Sequence, residues 1–274
     1  MFQINSKEET FKLDRLNPIR LTGFSRSAYR TGFIIHPYNI YLDAGLHPTV
    51  KSNLILVSHT HYDHIASLYP ILLESKTKDV MIPSSSKDNI SEMLNIMSKL
   101  NCGKTIFNWN PIMTHNFDTK IIGKNIYIEI YKLDHRIDTN GYGIYEKQNK
   151  LKDEFKQLSS SEISILKKNK TEICERIFVP IIMFINDTGN KVLSKLPFCV
   201  FKLVIIECTF IEDNHYQESL KRKHLHWNDL KHYIKINNNT TFILTHFSSR
   251  YKNEYLIDKE FNLQKEYPNI KFWI

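Results

Sequence analysis

The most informative stretch of this 274-residue chain is Leu54-Ile-Leu-Val-Ser-His59-Thr-His61-Tyr-Asp63-His64-Ile65. An apolar run leads directly into four potential metal ligands within six positions. In an extended chain, residues two apart face the same side, so His59 and His61 point together from the strand end. Asp63 and His64 fall where the next helix begins. A lone histidine is usually a packing residue, but this density of ligands predicts a metal site.

One loop cannot complete two metal sites, so further ligands should follow other strands. His135 ends the run Ile-Glu-Ile-Tyr-Lys-Leu-Asp, Asp187 ends Ile-Ile-Met-Phe-Ile-Asn, and His246 ends Phe-Ile-Leu-Thr. Each residue alone has a loop or capping role as its alternative. Three repeats of one pattern favour ligands converging at one edge of a sheet.

Strand and helix patterns alternate along the whole chain. Runs rich in β-branched residues predict strands at 31–35, 39–43, 54–57, 126–133, 142–145, 181–185, 201–206 and 241–244. Helical spacing occurs at 65–73, 86–100, 227–236 and 251–263. The chain is therefore expected to form an α/β layered fold, with no visible boundary to a second domain.

Residues 146–179 interrupt this pattern. They hold eight Lys or Arg and six Asp or Glu, but neither Gly nor Pro. We interpret the segment as an inserted, charged helical arm; a solvated surface hairpin is the alternative.

Composition limits the class of protein more than its function. Hydrophobic residues make up 42% of the chain, as in ordinary globular proteins, and a formal charge of +8 suits a polyanionic partner without identifying one. The four cysteines are scattered and no apolar segment could span a bilayer, which favours a reducing compartment and no membrane contact. We expect the cytoplasm, with nucleus or organelle as alternatives.

The chain resembles tRNase Z, the tRNA 3′-processing endonuclease family of the metallo-β-lactamase superfamily, in its short form. The resemblance covers most of the chain. Besides SHTHYDHI, its elements are His135 with Gly141-Tyr142, Asp187-Thr188, Glu207-Cys-Thr-Phe210, His224-Leu-His226 and His246-Phe-Ser-Ser-Arg-Tyr251. The last three elements are discriminating, because HxHxDH alone also occurs in thioesterases, glyoxalases and lactamases.

The resemblance implies a fold and a cofactor. The fold is a single metallo-β-lactamase domain over 1–274, an αββα four-layer sandwich with the metals at one edge. The cofactor is two zinc ions per subunit, although the ligand types leave manganese and iron open. The implied ligands are His59, His61 and His135 for one ion, Asp63, His64 and His246 for the other, and Asp187 as a bridge.

The resemblance also implies an activity: removal of the 3′ trailer from precursor tRNA, leaving a 3′ hydroxyl on the tRNA and a 5′ phosphate on the trailer. Glu207 and His224 would form the pair that protonates the departing 3′ oxygen. The alternative is that the two side chains are buried and only hydrogen-bond to each other, with no role in catalysis. Asp63 would, besides binding metal, accept the proton of the attacking water.

For RNA binding, the resemblance places the tRNA-gripping arm at 146–179, with phosphate contacts from lysines that include Lys167, Lys168 and Lys170. Arg250 is a candidate for holding the scissile phosphate or, alternatively, a structural arginine. The family suggests a homodimer in which the arm of one subunit holds RNA for the other. The role of His226 stays open.

Four positions depart from the family pattern. Ala66, Ser67, Asn186 and Lys223 stand where glycine is common. None of these changes removes a ligand, and a lost glycine matters mainly where the backbone needs a positive φ.

Two rival functions remain. The same metal centre could serve another hydrolase, acting on small phosphodiesters or thioesters, because ligands alone do not select a substrate. The chain could also be an inactive RNA-binding subunit, although all seven ligand positions are filled.

Overall fold

Two seven-stranded β-sheets form the centre of the protein. The structure is a computed structural model that describes residues 6–13, 18–47, 50–75, 78–115, 118–122 and 125–274. In the first sheet, spatial order follows chain order: β1 Lys7–Phe11, β2 Ile19–Arg26, β3 Arg30–His36, β4 Ile40–Leu42, β5 Leu54–Leu56, β6 Asp79–Pro83 and β7 Asn110–Thr114. Strands β1 to β4 pair antiparallel, and β4 to β7 pair parallel.

The second sheet holds the later strands, again side by side in chain order. They are β8 Thr119–Ile122, β9 Ile126–Lys132, β10 Asn140–Leu151, β11 Cys174–Ile185, β12 Leu203–Glu207, β13 Thr241–Thr245 and β14 Ile270–Phe272. Strands β8 to β11 pair antiparallel, whereas β11 to β14 pair parallel. Strands β9, β11, β12 and β13 therefore all run in the same direction.

Helices connect the strands, and some of them cover the outer faces of the two sheets. They are α1 Tyr62–Ile65, α2 Leu68–Glu74, α3 Lys87–Cys102, α4 Ser160–Lys168, α5 Tyr216–Arg222, α6 Trp227–Ile236 and α7 Asn253–Leu263. Short 3-10 helices lie at Ser84–Ser86, Asp153–Phe155, Asn190–Lys195, Phe198–Val200 and Asp213–His215. Within the described ranges, no helix is both long and apolar enough to cross a bilayer.

Alternation along the strands sends side chains into three buried layers. Between the sheets, Phe33 and Ile35 of β3 pack with Phe184 of β11 and Trp273. Outside the first sheet, Ile34 and Ile55 pack against α2 and α3. Outside the second, β11 to β13 pack against α6 and α7. This order of helix, sheet, sheet, helix confirms the predicted four-layer α/β sandwich.

The arm differs from the helical segment expected at 146–179. Strands β10 and β11 continue as one antiparallel ladder as far as Leu151 and Cys174, so most of the segment is a hairpin. Helical structure is limited to the tip, at Asp153–Phe155 and α4. A capping box at Ser159 and Glu162 fixes the start of α4. The helical prediction was therefore wrong for the stem of the arm.

Candidate metal centre

The carboxyl ends of four strands meet at one edge of the sandwich. His59 and His61 follow β5, His135 follows β9, Asp187 follows β11, and His246 follows β13. Because β9, β11 and β13 run in the same direction, their carboxyl ends lie together. The strand directions thus bring residues that are far apart in sequence to a single site.

The first cluster contains His59, His61, His135 and Asp187, whose ligand atoms all lie within 4.8 Å of one another. His61 Nδ1 lies 2.9 Å from His59 Nε2 and 3.3 Å from His135 Nε2. Asp187 Oδ2 lies 3.6 Å from His59 Nε2. Three imidazole nitrogens and one carboxylate oxygen converge here, which is a donor set suited to zinc.

The second cluster contains Asp63, His64 and His246. Asp63 Oδ2 lies 3.3 Å from the Nε2 atoms of both histidines. The other oxygen of Asp187, Oδ1, lies 3.3 Å from His246 Nε2 and 3.6 Å from His64 Nε2. Asp187 therefore directs one oxygen toward each cluster, as a bridging ligand does.

Two buried atoms of the candidate ligands have no hydrogen-bond partner among the described residues: His64 Nε2 and Asp187 Oδ1. Unpartnered buried polar atoms are costly and call for an explanation. Both face the second cluster, where a cation would satisfy them. The residues present therefore fit the two-metal centre that the resemblance implies.

The charge states of the histidines also fit metal binding. Burial and the neighbouring histidines lower the pKa of His59 and His135, and lower that of His61 to about 4, so these rings are neutral ligands at pH 7. His64 differs: burial would lower its pKa, but Asp187 and Asp43 outweigh burial and raise it. The carboxylates thus favour a positive charge at His64 Nε2, which a cation supplies as well as a proton does.

A second layer of hydrogen bonds fixes the ring orientations. His64 Nδ1 donates to Asp43 Oδ2 over 2.7 Å, and His246 Nδ1 donates to Thr209 Oγ1 over 3.0 Å. His135 Nδ1 donates to the Lys223 carbonyl over 3.0 Å. Each bond leaves the Nε2 lone pair free for a metal, a common arrangement around ligating histidines.

Glu207 and His224 lie beside both clusters. His224 Nδ1 is 3.1 Å from Glu207 Oε1, and Glu207 also accepts from Thr209 Oγ1 over 2.5 Å and from the Thr188 amide over 2.6 Å. Burial alone would lower the pKa of His224, but Glu207 and Asp187 outweigh it and raise the pKa to about 9. The His224 ring stacks on that of His246 with 5.5 Å between centroids. Glu207 and Asp187 thus favour the protonated form of His224 at the rim of the ligand clusters.

Backbone strain is concentrated at this site. Among the described non-glycine residues, six have positive φ. One of the six, His246, is a candidate ligand, and three others, Ala28, Asp43 and Lys223, hydrogen-bond to candidate ligands. The Ala28 amide donates to Asp63 Oδ2 over 3.0 Å. Left-handed conformations of non-glycine residues are unfavourable and often occur at functional sites. Of the four replaced glycines, only Lys223 has a positive φ.

Other candidates lie apart from the ligands. Arg250 donates to both oxygens of Glu218 over 2.9 and 3.0 Å, and its guanidinium lies 5.2 Å from the Phe210 ring centroid. It lines a cavity of about 150 Å³ together with His224. His226 caps α6, accepting from the Asn228 amide, and its Nε2 contacts the Glu212 carbonyl. The buried His226 therefore has a structural role.

The arm lysines are far from the metal centre. Lys167, Lys168 and Lys170 are exposed at the end of α4. Between α4, at the tip of the arm, and Asp187 lie the 12 residues of β11, a distance of roughly 40 Å at 3.3 Å per residue. The structure does not bring these lysines to the site of their own subunit.

The sequence analysis did not identify two residues that hydrogen-bond to the candidate ligands, Asp43 and Thr209. Asp43 accepts from His64, from the Ser58 amide over 2.6 Å and from Asn186 Nδ2 over 3.1 Å. Asp43 follows the apolar strand β4, the same signal that marked Asp187 and His246. Thr209 links Glu207 to His246, and although it belongs to a quoted motif, no pattern indicated this contact.

Comparisons with known proteins agree with this geometry. No family model matches the chain. Over 243 residues, 84% of the chain and 86% of the relative, it is 27% identical to tRNase Z TRZ1 of Arabidopsis thaliana. It is 26% identical to the chloroplastic tRNase Z TRZ2 of the same plant, over 92% of the chain and 73% of the relative. The resemblance to tRNase Z is confirmed.

Solved structures confirm the fold. The metallo-β-lactamase fold protein YhfI of Bacillus subtilis superposes with a TM-score of 0.61 at 15% identity, covering 93% of the chain and 96% of that protein. Human tRNase Z, short form, gives a TM-score of 0.59 at 15% identity, covering 92% and 95%. The chain has the metallo-β-lactamase fold.

Proposed function

We propose that this protein is a metal-dependent endoribonuclease that removes the 3′ trailer from precursor tRNA. The observation that carries the proposal is Asp187, which places one carboxylate oxygen in each of two ligand clusters beside the Glu207–His224 pair. Similarity to curated tRNase Z proteins over most of the chain supports tRNA as the substrate. Among the hydrolases that share this fold, the substrate choice rests on that similarity.

We propose two zinc ions as the cofactor. Five imidazoles and two carboxylates form the two clusters, and imidazole-rich sites suit zinc. His59, His61 and His135 would hold one ion, Asp63, His64 and His246 the other, with Asp187 shared. Bound there, the ions would lower the pKa of water and offset the charge of the phosphodiester.

Side chains of the protein would carry out the two proton transfers of the reaction. Glu207 accepts from His224 Nδ1, which leaves the opposite ring nitrogen to carry the proton toward the scissile bond. His224 would protonate the departing 3′ oxygen, so that the tRNA keeps a 3′ hydroxyl and the trailer a 5′ phosphate. Asp63, whose Oδ2 faces the second cluster and is held by the Ala28 amide, would accept the proton of the attacking water.

We propose that the arm binds the tRNA. Lys167, Lys168 and Lys170 would contact the phosphates of the tRNA body, contacts that position RNA without reading sequence. Because the arm projects from the edge opposite the metal centre, we propose a homodimer in which each arm serves the site of the other subunit. Arg250, at the cavity beside His224, would approach the substrate phosphate, although Glu218 holds its guanidinium in the free protein.

The compartment is part of the proposal. We place the protein in the cytoplasm, with nucleus and organelle as alternatives. The chain is similar to the chloroplastic tRNase Z of Arabidopsis thaliana and, at 23% identity over 57% of the chain, to a nuclear ribonuclease Z of Triticum aestivum.

Product mapping tests the proposed reaction. Purified protein is incubated with a 3′-extended precursor tRNA, and both product ends are identified at nucleotide resolution. One cut after the discriminator nucleotide, with a 3′ hydroxyl and a 5′ phosphate, is expected. Turnover of small phosphodiesters with intact precursor tRNA would instead favour a small-molecule hydrolase.

A further inference from the structure

Lys223 has an unusual backbone conformation at a sensitive position. It follows α5, immediately precedes His224, and has a φ of 54°. Glycine is the residue that adopts this conformation without strain. A lysine here therefore needs a compensating role, and its contacts indicate one.

The hydrogen bonds of Lys223 to the loop after β9 hold that loop on both sides. Its carbonyl accepts from His135 Nδ1 over 3.0 Å. Its ammonium group donates to Asp134 Oδ1 over 2.7 Å and to the His135 carbonyl over 3.3 Å. One residue thus holds the ring of His135 and the main chain that carries it.

Asp134 extends this connection to a third loop. Its carbonyl accepts from the Gly189 amide over 2.7 Å, and its amide donates to Thr188 Oγ1 over 3.1 Å. Thr188 and Gly189 directly follow Asp187. The Lys223–Asp134 pair therefore joins the segments that carry His135, Asp187 and His224.

A glycine at position 223 would provide the same carbonyl in the same conformation with less strain. What lysine adds is the ammonium group and its two contacts. We propose that Lys223 is a positioning residue that, through Asp134, holds the ligand His135 in place relative to His224. This inference rests on the metal centre of the proposed function.

Metal affinity provides a direct test. Zinc is removed from the full-length protein by titration with a competing chelator, and retained zinc is counted for Lys223→Gly, Asp134→Ala and the double variant. Lys223→Gly is expected to weaken one of the two zinc sites about tenfold, as do other losses of residues that orient ligands. Asp134→Ala should have a similar effect, and the double variant should be no worse than either single variant.

A matched control separates the contacts from the strain. Lys170 has a φ of 59° and lies in the arm, so Lys170→Gly relieves comparable strain far from the site. It should leave zinc affinity unchanged. The unfolding temperature of zinc-free Lys223→Gly should equal or exceed that of the wild type, which a merely structural role would not produce.

The outcomes are distinguishable. Wild-type zinc affinity in Lys223→Gly, or additive losses in the double variant, would overturn the role of Lys223 while leaving the proposed function intact. A wild-type protein that binds no zinc would overturn the metal centre itself. If Lys223→Gly does not fold, Asp134→Ala decides, because it removes the same ion pair and leaves the backbone at 223 unaltered.

Discussion

His224 Nδ1 lies 3.1 Å from Glu207 Oε1, and both side chains are buried beside two clusters of potential metal ligands. The carboxylate fixes which ring nitrogen faces the site and favours the protonated imidazole. An acid held in this way can donate to a leaving group at neutral pH, when free imidazole would be largely neutral.

The charge of Glu207 should therefore be visible in the pH profile. A group that acts as an acid supports activity below its pKa and loses it as the pH rises through that value. The pKa of His224 is raised to about 9, and Glu207 is the largest of the charges that raise it. Glu207→Gln should move the alkaline fall in single-turnover cleavage to lower pH. An alkaline fall at the same pH as in the wild type would contradict the assignment of His224 as an acid whose pKa Glu207 raises.

The ligand clusters should be required for cleavage but not for RNA affinity. His61→Ala and Asp187→Ala each remove a converging ligand, and each should reduce the cleavage rate by more than about a hundredfold. Binding of precursor tRNA should stay near the wild-type value, because the arm is intact. His232→Ala, at an exposed histidine of α6, is the control and should cleave normally. Normal rates in either ligand variant would refute the site.

The arm lysines should contribute to binding through phosphate contacts. Replacing Lys167, Lys168 and Lys170 with glutamine removes up to three such contacts. The slope of log K against log salt should become shallower by about 2, because fewer counterions are released. The same change at Lys99, Lys104 and Lys231, exposed lysines outside the arm, should have a smaller effect. Equal slopes of log K against log salt in the two triple variants would indicate that the arm is a surface hairpin without a role in RNA binding.

The homodimer can be tested by complementation. His61→Ala has an intact arm and a disabled site, whereas the arm variant has the reverse. If each arm serves the other subunit, mixing and re-associating the two should produce hybrid dimers with one working site and restore measurable cleavage. No gain over the separate variants would indicate that arm and site work within one chain.

Much of the fold and of the site could be predicted from sequence because ligands and apolar strands are local signals. The segment from His59 to His64 is recognisable because it holds four potential metal ligands within six positions. The structure brings His135, Asp187 and His246 to the same place. The run rich in β-branched residues predicts a strand only from Ile181, whereas β11 begins at Cys174. The structure places Pro180 opposite Tyr145 at a register shift, where a proline is tolerated within a sheet.

Other features depend on contacts that no local pattern encodes. The sequence predicts helix for the stem of the arm because its exposed strands carry charges on both faces and lack alternation. Strand β7 contains Pro111 and escaped prediction; it is an edge strand, where a missing amide donor costs little. Thr209 and Lys223 act through partners far away in sequence, so only the folded chain shows what they hold.

We propose that the two ligand clusters hold metal ions that act on precursor tRNA. The most direct measurement is the single-turnover rate of cleavage of a 3′-extended precursor tRNA by protein as purified, after chelation, and after zinc is restored. A zinc centre that acts on precursor tRNA should give a cut after the discriminator nucleotide that disappears on chelation and returns with zinc. Cleavage that persists in protein shown to be free of metal, or no cleavage in protein shown to hold two zinc ions, would contradict this proposal.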